Sequence, residues 1–348
     1  MWRFYASQVK KTSQILLKGN LKHNVRNFSV SVKKSVKFPL PLFSGFVVGY
    51  GLMKYCYSAE CNKVKEDDTN DKWTLYQYAT CPFCCKVRTF LEFYGIDYDI
   101  VEVNPVFRNE IKFSDYKKVP ILKSDKYQLN DSSLIISVLK THLLGKGNVE
   151  TLLTYYPKLE SQEKKKKVVE YQNRYNIMYQ EGLNDMQHKA VREEAKWRKW
   201  VDDTFIHTLS PNIYRTMREA LQAMEYITHV GNFSSFERTV VYYSGAVAMY
   251  IIGKRLKKKY NLKDDVRESM YAEARVWAKA VGKKRKFLGG KTPNLADLNM
   301  YGVIHAIEGL DAFDDLMKNT NILSWYQEMK IQVESHAGAK QKDWLIEN

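Results

Sequence analysis

The chain has 348 residues, 45% hydrophobic and 27% charged. These are globular proportions, sufficient for two domains, and they exclude a wholly disordered chain or a many-spanning membrane protein. Lys plus Arg is 55 against 39 for Asp plus Glu, but ten of the basic side chains precede the first acid, Glu60. Most of the excess is therefore a property of the N-terminus, and no nucleic-acid partner is expected.

Residues 1–37 are basic, serine-bearing and acid-free, the composition of a targeting or tethering leader and equally of a mitochondrial-type presequence. From Phe38 to Ala59 the one charge is Lys54, and Gly45, Gly49 and Gly51 follow a spacing suited to membrane helices. This stretch, 38–59, reads as a single membrane-anchor helix, short for a bilayer, with Pro39 and Pro41 at its edge. A polar linker, 60–72, carries Glu66, Asp67, Asp68 and Asp71.

Residues 73–147 read as β-α-β-α-β-β-α, a thioredoxin-like order. Trp73 to Tyr78 alternates as a strand; Cys81-Pro-Phe-Cys84 opens a helix with Val87, Phe90, Leu91 and Tyr94 on one face, stopped at Gly95. Asp97 to Val103 is a second strand, Asn104 to Tyr116 is weakly helical, and Val119–Leu122 with Tyr127–Leu129 forms a hairpin. Asp131 caps a helix that buries Leu134, Ile135, Val138 and Leu139.

Residues 148–348 read as helical throughout, so the fold class is α/β followed by all-α. Val240 to Ile252 looks like a buried helix, and Asn294 with Asp297 has capping-box spacing. Lys164 to Lys167 reads as a solvated helix face.

The five cysteines stand at 56, 61, 81, 84 and 85, and 263 residues follow without one. A disulfide scaffold would spread its pairs along the chain. A zinc site would need about four ligands, and no second pair stands at ligand spacing. A buried structural pair of thiols is one alternative; a reactive pair on a strand-to-helix turn is the sharper one. Cys81, at the positive end of a helix dipole, would be the exposed nucleophile, and Cys84, one turn on and more buried, the resolving thiol. Pro82 suits the first turn. Cys85 reads as packing.

Val119-Pro120 lies where thioredoxin-like folds place a cis-proline that leaves the preceding backbone open to a thiol peptide; an edge-strand proline is the bland alternative. Asp131-Ser132 begins a helix whose N-terminus would hold a carboxylate, or is simply a cap. A thiol centre, a backbone clamp and an anion hole together describe a site for glutathione. Tyr78, read from the residues alone, could equally be an aromatic packed at a strand end.

Tyr76-Gln-Tyr-Ala-Thr-Cys-Pro-Phe-Cys84, Val101-Glu-Val-Asn-Pro105, Glu110-Ile-Lys-Phe113, Lys118-Val-Pro-Ile-Leu122 and Gln128-Leu-Asn-Asp-Ser-Ser133 closely resemble the membrane-associated prostaglandin E synthase type 2 family. The likeness continues through Ser210-Pro-Asn-Ile-Tyr-Arg215, Gly289-Gly290, Pro293-Asn-Leu-Ala-Asp297 and Glu308 to Leu316, covering residues 73–330. It implies a glutathione-transferase-like fold and isomerisation of prostaglandin H2, a lipid endoperoxide, to prostaglandin E2. The catalytic pair would be Tyr78 and Cys81, completed by Phe83 and Cys84; glutathione would contact Val119, Pro120, Asp131 and Ser132. The family is also associated with glutathione-bound haem. His207, Ser210, Arg255 and Lys259 would line that pocket, unless the Lys254–Lys259 cluster is only a solvated helix end. Lys259 stands where an Arg is commoner, a point charge for a bidentate fork.

A glutathione-dependent thiol-disulfide oxidoreductase and a non-catalytic glutathione-haem binding protein are the rival functions. Fold analogy implies a homodimer. The resemblance implies a Golgi membrane and, after N-terminal cleavage, a soluble cytoplasmic form; the same N-terminus would also serve as a mitochondrial address. Positive charge ahead of the anchor would hold residues 1–37 in the cytosol, opposite to a cytosol-facing enzyme.

Overall fold

A computed structural model describes residues 72–339, apart from 146, 164, 165, 179–181 and 232. The leader 1–37, the anchor 38–59 and the linker as far as residue 71 lie outside the described residues. Among the described residues no helix is long and apolar enough to cross a membrane.

Alternation in Trp73–Gln77 makes β1, which pairs in parallel with β2, Tyr98–Glu102. On its other edge β1 pairs antiparallel with β3, Ile121–Lys123, and β3 with β4, Gln128–Asn130, giving the order β2-β1-β3-β4. Leu75 faces Leu122, which faces Leu129, so one apolar row crosses three strands and is wholly buried. Two helices cover this sheet region: α1, Pro82–Phe93, and α2, Ser132–Gly145. Val87, Phe90, Leu91 and Tyr94 are buried as the 3.6-residue period requires, and Gly95 takes the left-handed φ of 58° that ends the helix. Between β2 and β3 the weakly helical expectation reduces to one 3-10 turn, Asn109–Ile111.

The remainder is helical with one exception. A short α3, Val149–Leu153, leads into an antiparallel hairpin of β5, Lys158–Glu163, and β6, Lys166–Tyr171. Helix throughout 148–348 is therefore corrected, and so is the solvated helix face at Lys166 and Lys167, while 164 and 165 lie outside the described residues. Lys and Glu are good helix formers, and these strands carry no clean polar–apolar alternation to override that preference. Then follow α4, Asp185–Trp200; a π-turn, Val201–Phe205; α5, Ile206–Ile213; α6, Met217–Val230; and α7, Ser235–Lys259. The chain continues with α8, Val266–Val281; α9, Leu295–His305; α10, Asp311–Asn319; and α11, Leu323–Glu334.

Asn294 and Asp297 form the expected capping box at α9. Asp297 also accepts from the Leu288 and Gly289 backbone and from the indole of Trp325, one wall of an aromatic core in which Trp197, Trp200 and Trp325 surround Trp277. The helix expected to be buried at Val240–Ile252 is only half so: Tyr243, Val247 and Ile251 share its exposed face.

Helix α9 crosses directly on α1. A Cβ on Gly302 would lie 2.8 Å from the Cα of Lys86 and 2.9 Å from the Cys85 carbonyl oxygen, so glycine sets the approach of the two backbones. Beside this crossing the fully buried Lys86 ammonium meets the Asp202 carboxylate and donates to Ser133 Oγ at 3.1 Å. Ser133 and Tyr175 hydroxyls donate to the other oxygen of Asp202, at 2.6 and 3.2 Å. Burial pushes the Asp202 carboxyl up, but the Lys86 charge and these donors outweigh it and hold it below its usual value. The thiol-bearing helix is thus keyed to the helical region by one glycine contact and one satisfied ion pair.

Candidate functional site

Cys81 is the N-cap of α1, in extended backbone geometry, with Pro82 in the first turn. Its amide donates to the Tyr78 carbonyl at 2.9 Å, and its carbonyl accepts from Cys85 N at 2.9 Å, which fixes the turn between β1 and α1. The thiol is not exposed: Cys81 and Cys84 both have 0% accessible surface. The expected difference in exposure is therefore replaced by a difference in hydrogen bonding.

Burial alone would push the Cys81 thiol up. The Cys84 thiol and the backbone N–H groups of Cys84 and Phe83 donate to the sulfur, with Arg88 adding positive charge, and the net position is below an ordinary thiol. Cys84 goes the other way, driven well up by burial and by donating to its neighbour. Of the pair, Cys81 is thus the thiol shifted toward ionisation and Cys84 the hydrogen-bond donor beside it.

A small apolar cluster encloses the pair: Tyr78, Val103, Ile111, Val119 and Ile121, with Tyr76, Phe83 and Tyr116 against it. Tyr78 is 4% exposed. Burial raises its phenol strongly; the Arg108 guanidinium, which hydrogen-bonds to it, pulls the other way, while both neighbouring thiols push it up. The Val119–Pro120 peptide is cis, and Val119 lies in the same cluster as the thiols. Tyr116 stands within electrostatic reach of Cys81, Cys84 and Asp131, linking the thiol side to the start of α2.

Asp131 adopts a left-handed φ of 72° and caps α2, accepting from Ser133 N at 2.9 Å and Leu134 N at 3.2 Å. Its second oxygen lies 3.5 Å from the Arg174 guanidinium. Ser132 beside it is buried. Asp131 is thus the helix cap that the sequence left open as the simpler alternative.

The sequence did not single out the support behind the 78–81 turn. Glu102 accepts from Ala79 N at 2.7 Å and from the Gln77 amide at 3.2 Å, and burial lifts its carboxyl to about 7. Arg88 donates to Gln77 Oε1 at 2.9 Å, to the Ala79 carbonyl at 3.1 Å and to Cys85 Sγ at 3.0 Å. Cys85 also donates to the Ala79 carbonyl, and burial drives its thiol up to about 11, as suits a packing thiol. Arg88 and Cys85 at i and i−3 on α1 were the available signal.

Of the residues expected around a second ligand, His207 stacks on Tyr260, ring centroids 4.1 Å apart, and Lys259 reaches the same ring at 4.7 Å. The Nδ1 of His207 is buried without a hydrogen-bond partner among the described residues, and burial and Lys259 hold the imidazole below its usual pKa. Ser210 follows on α5 one turn after His207, while Arg255 is exposed on α7, one turn before Lys259. Among the described residues no group of three His, Cys, Asp or Glu is arranged to hold a metal ion.

Residues 75–143 match the glutathione S-transferase N-terminal domain family. Prostaglandin E synthase 2 of Mus musculus is 50% identical over 269 residues, covering 75% of this chain and 70% of that protein. The Danio rerio protein of the same name is 48% identical, covering 76% and 71%. Among solved structures, glutathione transferase F7 from Populus trichocarpa is 14% identical over 77% of this chain and 99% of its own, with a TM-score of 0.45. With about half of the aligned residues identical over 70% or more of both chains, this chain belongs to the prostaglandin E synthase 2 family.

Proposed function

We propose that this chain isomerises prostaglandin H2 to prostaglandin E2, using the Cys81 thiolate with glutathione bound beside it. The observation that carries the reading is the Cys81–Cys84 pair, a buried thiol at a helix N-terminus shifted toward the thiolate by a thiol donor beside it. A thiolate can form a bond to one oxygen of a cyclic endoperoxide while the O–O bond breaks; the other oxygen leaves as an alkoxide and takes a proton. Loss of the C–H proton beside the sulfur-bound oxygen then forms the ketone and returns the thiolate, so no net oxidant or reductant is consumed. Tyr78 is the hydroxyl suited to stabilise the alkoxide. The relatives' names and the match of residues 75–143 to the glutathione S-transferase N-terminal domain support this reading.

Glutathione would lie along Val119-Pro120 with its γ-glutamyl end at Asp131 and Ser132, where a helix N-terminus favours a carboxylate. Product analysis with prostaglandin H2 tests the activity: wild type gives prostaglandin E2, and Cys81→Ser reduces turnover by roughly 10³-fold or more. Equal turnover by the serine variant overturns the reading.

A second reading rests on His207. Its buried Nδ1, unpartnered among the described residues, with the Tyr260 face and the Lys259 charge beside it, suits a planar anionic ligand such as haem. Haem, when bound, would supply iron chemistry that breaks the peroxide instead of isomerising it. A Soret band on mixing haem and glutathione with wild type, weakened in His207→Ala, supports this site. Equal bands in the two proteins exclude His207 from it.

The basic leader and apolar segment would hold the enzyme on a membrane, the Golgi membrane by family, and glutathione-transferase-like folds favour a homodimer. Fractionation of the full chain and light scattering of the soluble part test these two proposals separately.

A further inference from the structure

Between β2 and the 3-10 turn, the chain makes a tight loop that delivers one cation to the thiol cluster. Asn104 Oδ1 accepts from Val106 N at 2.9 Å and Phe107 N at 3.1 Å, and Asn104 O accepts from Arg108 N at 2.9 Å. Glu110 accepts from Asn104 N at 3.1 Å and closes the loop from the far side. Arg108 itself sits at φ 55°, ψ 38°, a left-handed conformation that disfavours any residue with a Cβ. A conformation of this kind persists where the surroundings over-determine it, and such positions cluster at functional sites.

The side chain explains the placement. One Nη donates to the Lys117 carbonyl at 3.2 Å, two residues before Val119-Pro120, and the guanidinium hydrogen-bonds to the Tyr78 phenol. Arginine has only donors, so Tyr78 oxygen must be the acceptor in that contact. Its single proton is therefore directed away from the guanidinium, and the cluster around it holds the thiol pair.

We propose that Arg108 is the positioning residue of Tyr78: it fixes the phenol as an acceptor on one side, so that the hydroxyl proton is presented to the reacting oxygen on the other. The inference rests on the isomerase reading above. In that reaction Tyr78 gives its proton to the alkoxide as the O–O bond breaks. The resulting phenolate takes the C–H proton in the second step and is restored. Arg108 carries the compensating charge between the two steps and changes neither its bonds nor its protonation. Against the burial that makes a phenolate costly here, one fixed guanidinium is the nearest offset.

The test is a double-mutant cycle on the full chain with Arg108→Met, Arg108→Lys and Tyr78→Phe, each checked for folding by circular dichroism. Arg108→Met should lower kcat about 10²-fold with KM little changed, and Arg108→Lys should recover part of the loss. In the Tyr78→Phe background Arg108→Met should cost almost nothing further. Fluorotyrosine labelling reads the contact without substrate: the 19F resonance lost in Tyr78→Phe should move in Arg108→Met. A purely structural role for Arg108, through Lys117 alone, would give additive losses and an unmoved resonance, and either outcome overturns the proposal. Wild type that makes no prostaglandin E2, with the resonance still moving, overturns the isomerase reading and leaves the contact standing.

Discussion

Gly302 lies against Lys86 so closely that a methyl group on the glycine would come 2.8 Å from the lysine Cα. Cys81, the N-cap of the same helix, is five residues away, so the packing of the helical region decides where the thiol helix starts. Gly302→Ala should push α1 off α9 and cost about 1–3 kcal/mol of stability. Thermal unfolding measures the loss, and Cys81 alkylation kinetics show whether the displacement reaches the thiol. An unchanged midpoint would mean the crossing has slack that the backbone distances deny.

The ion pair beside it makes a second prediction. Asp202→Asn leaves the Lys86 ammonium buried without its counter-charge and should destabilise the fold by about 3–5 kcal/mol. Because the Asp202 carboxyl is held below its unfolded value, its contribution is present above that value and lost as pH falls through the lower, folded one. Wild type should therefore lose stability relative to Asp202→Asn on acidification. Denaturant melts across the acidic range measure the difference, and parallel curves would contradict it.

Glu102 has the opposite sign. Its carboxyl is raised from 4.5 to about 7, so the folded state binds the proton more tightly than the unfolded chain. That contribution is full below 4.5 and disappears as pH rises through 7. The gap in stability between wild type and Glu102→Gln should shift against wild type between pH 5 and 8. Since Glu102 holds the Ala79 amide, Cys81 reactivity should follow the same transition. A pH-independent gap would show that the carboxyl titrates normally.

Cys84 separates the two kinds of thiol chemistry. Cys84→Ala removes the side-chain donor from the Cys81 sulfur and should raise the pH at which Cys81 becomes reactive by about 1–2. Prostaglandin E2 formation should survive with its profile moved to higher pH, whereas dithiol reduction of a disulfide substrate should fail. Loss of both activities would favour the oxidoreductase function.

What the sequence made legible was local. Cys81-Pro-Phe-Cys84 at a strand-to-helix turn, the stop at Gly95 and the box of Asn294 with Asp297 each depend on residues within a turn or two, and each formed as expected. Groups brought in from a distance were not legible. Arg108 reaches Tyr78 across 30 positions only because a left-handed residue turns the loop back. Lys86 and Asp202, 116 residues apart, carry no mark that distinguishes them from surface charges. The burial of Cys81 escaped for the same reason: a helix N-terminus is exposed until another part of the chain covers it. In the hairpin of β5 and β6, polar residues on both faces erased the two-residue period that would have announced strands.

The most direct test of the account is the pH dependence of prostaglandin E2 formation, measured beside the pH dependence of Cys81 alkylation by iodoacetamide. Both should rise through one apparent pKa below that of an ordinary thiol, and both should vanish in Cys81→Ser. Prostaglandin E2 formation that proceeds undiminished in Cys81→Ser, or that follows a different ionisation from the alkylation, would contradict it.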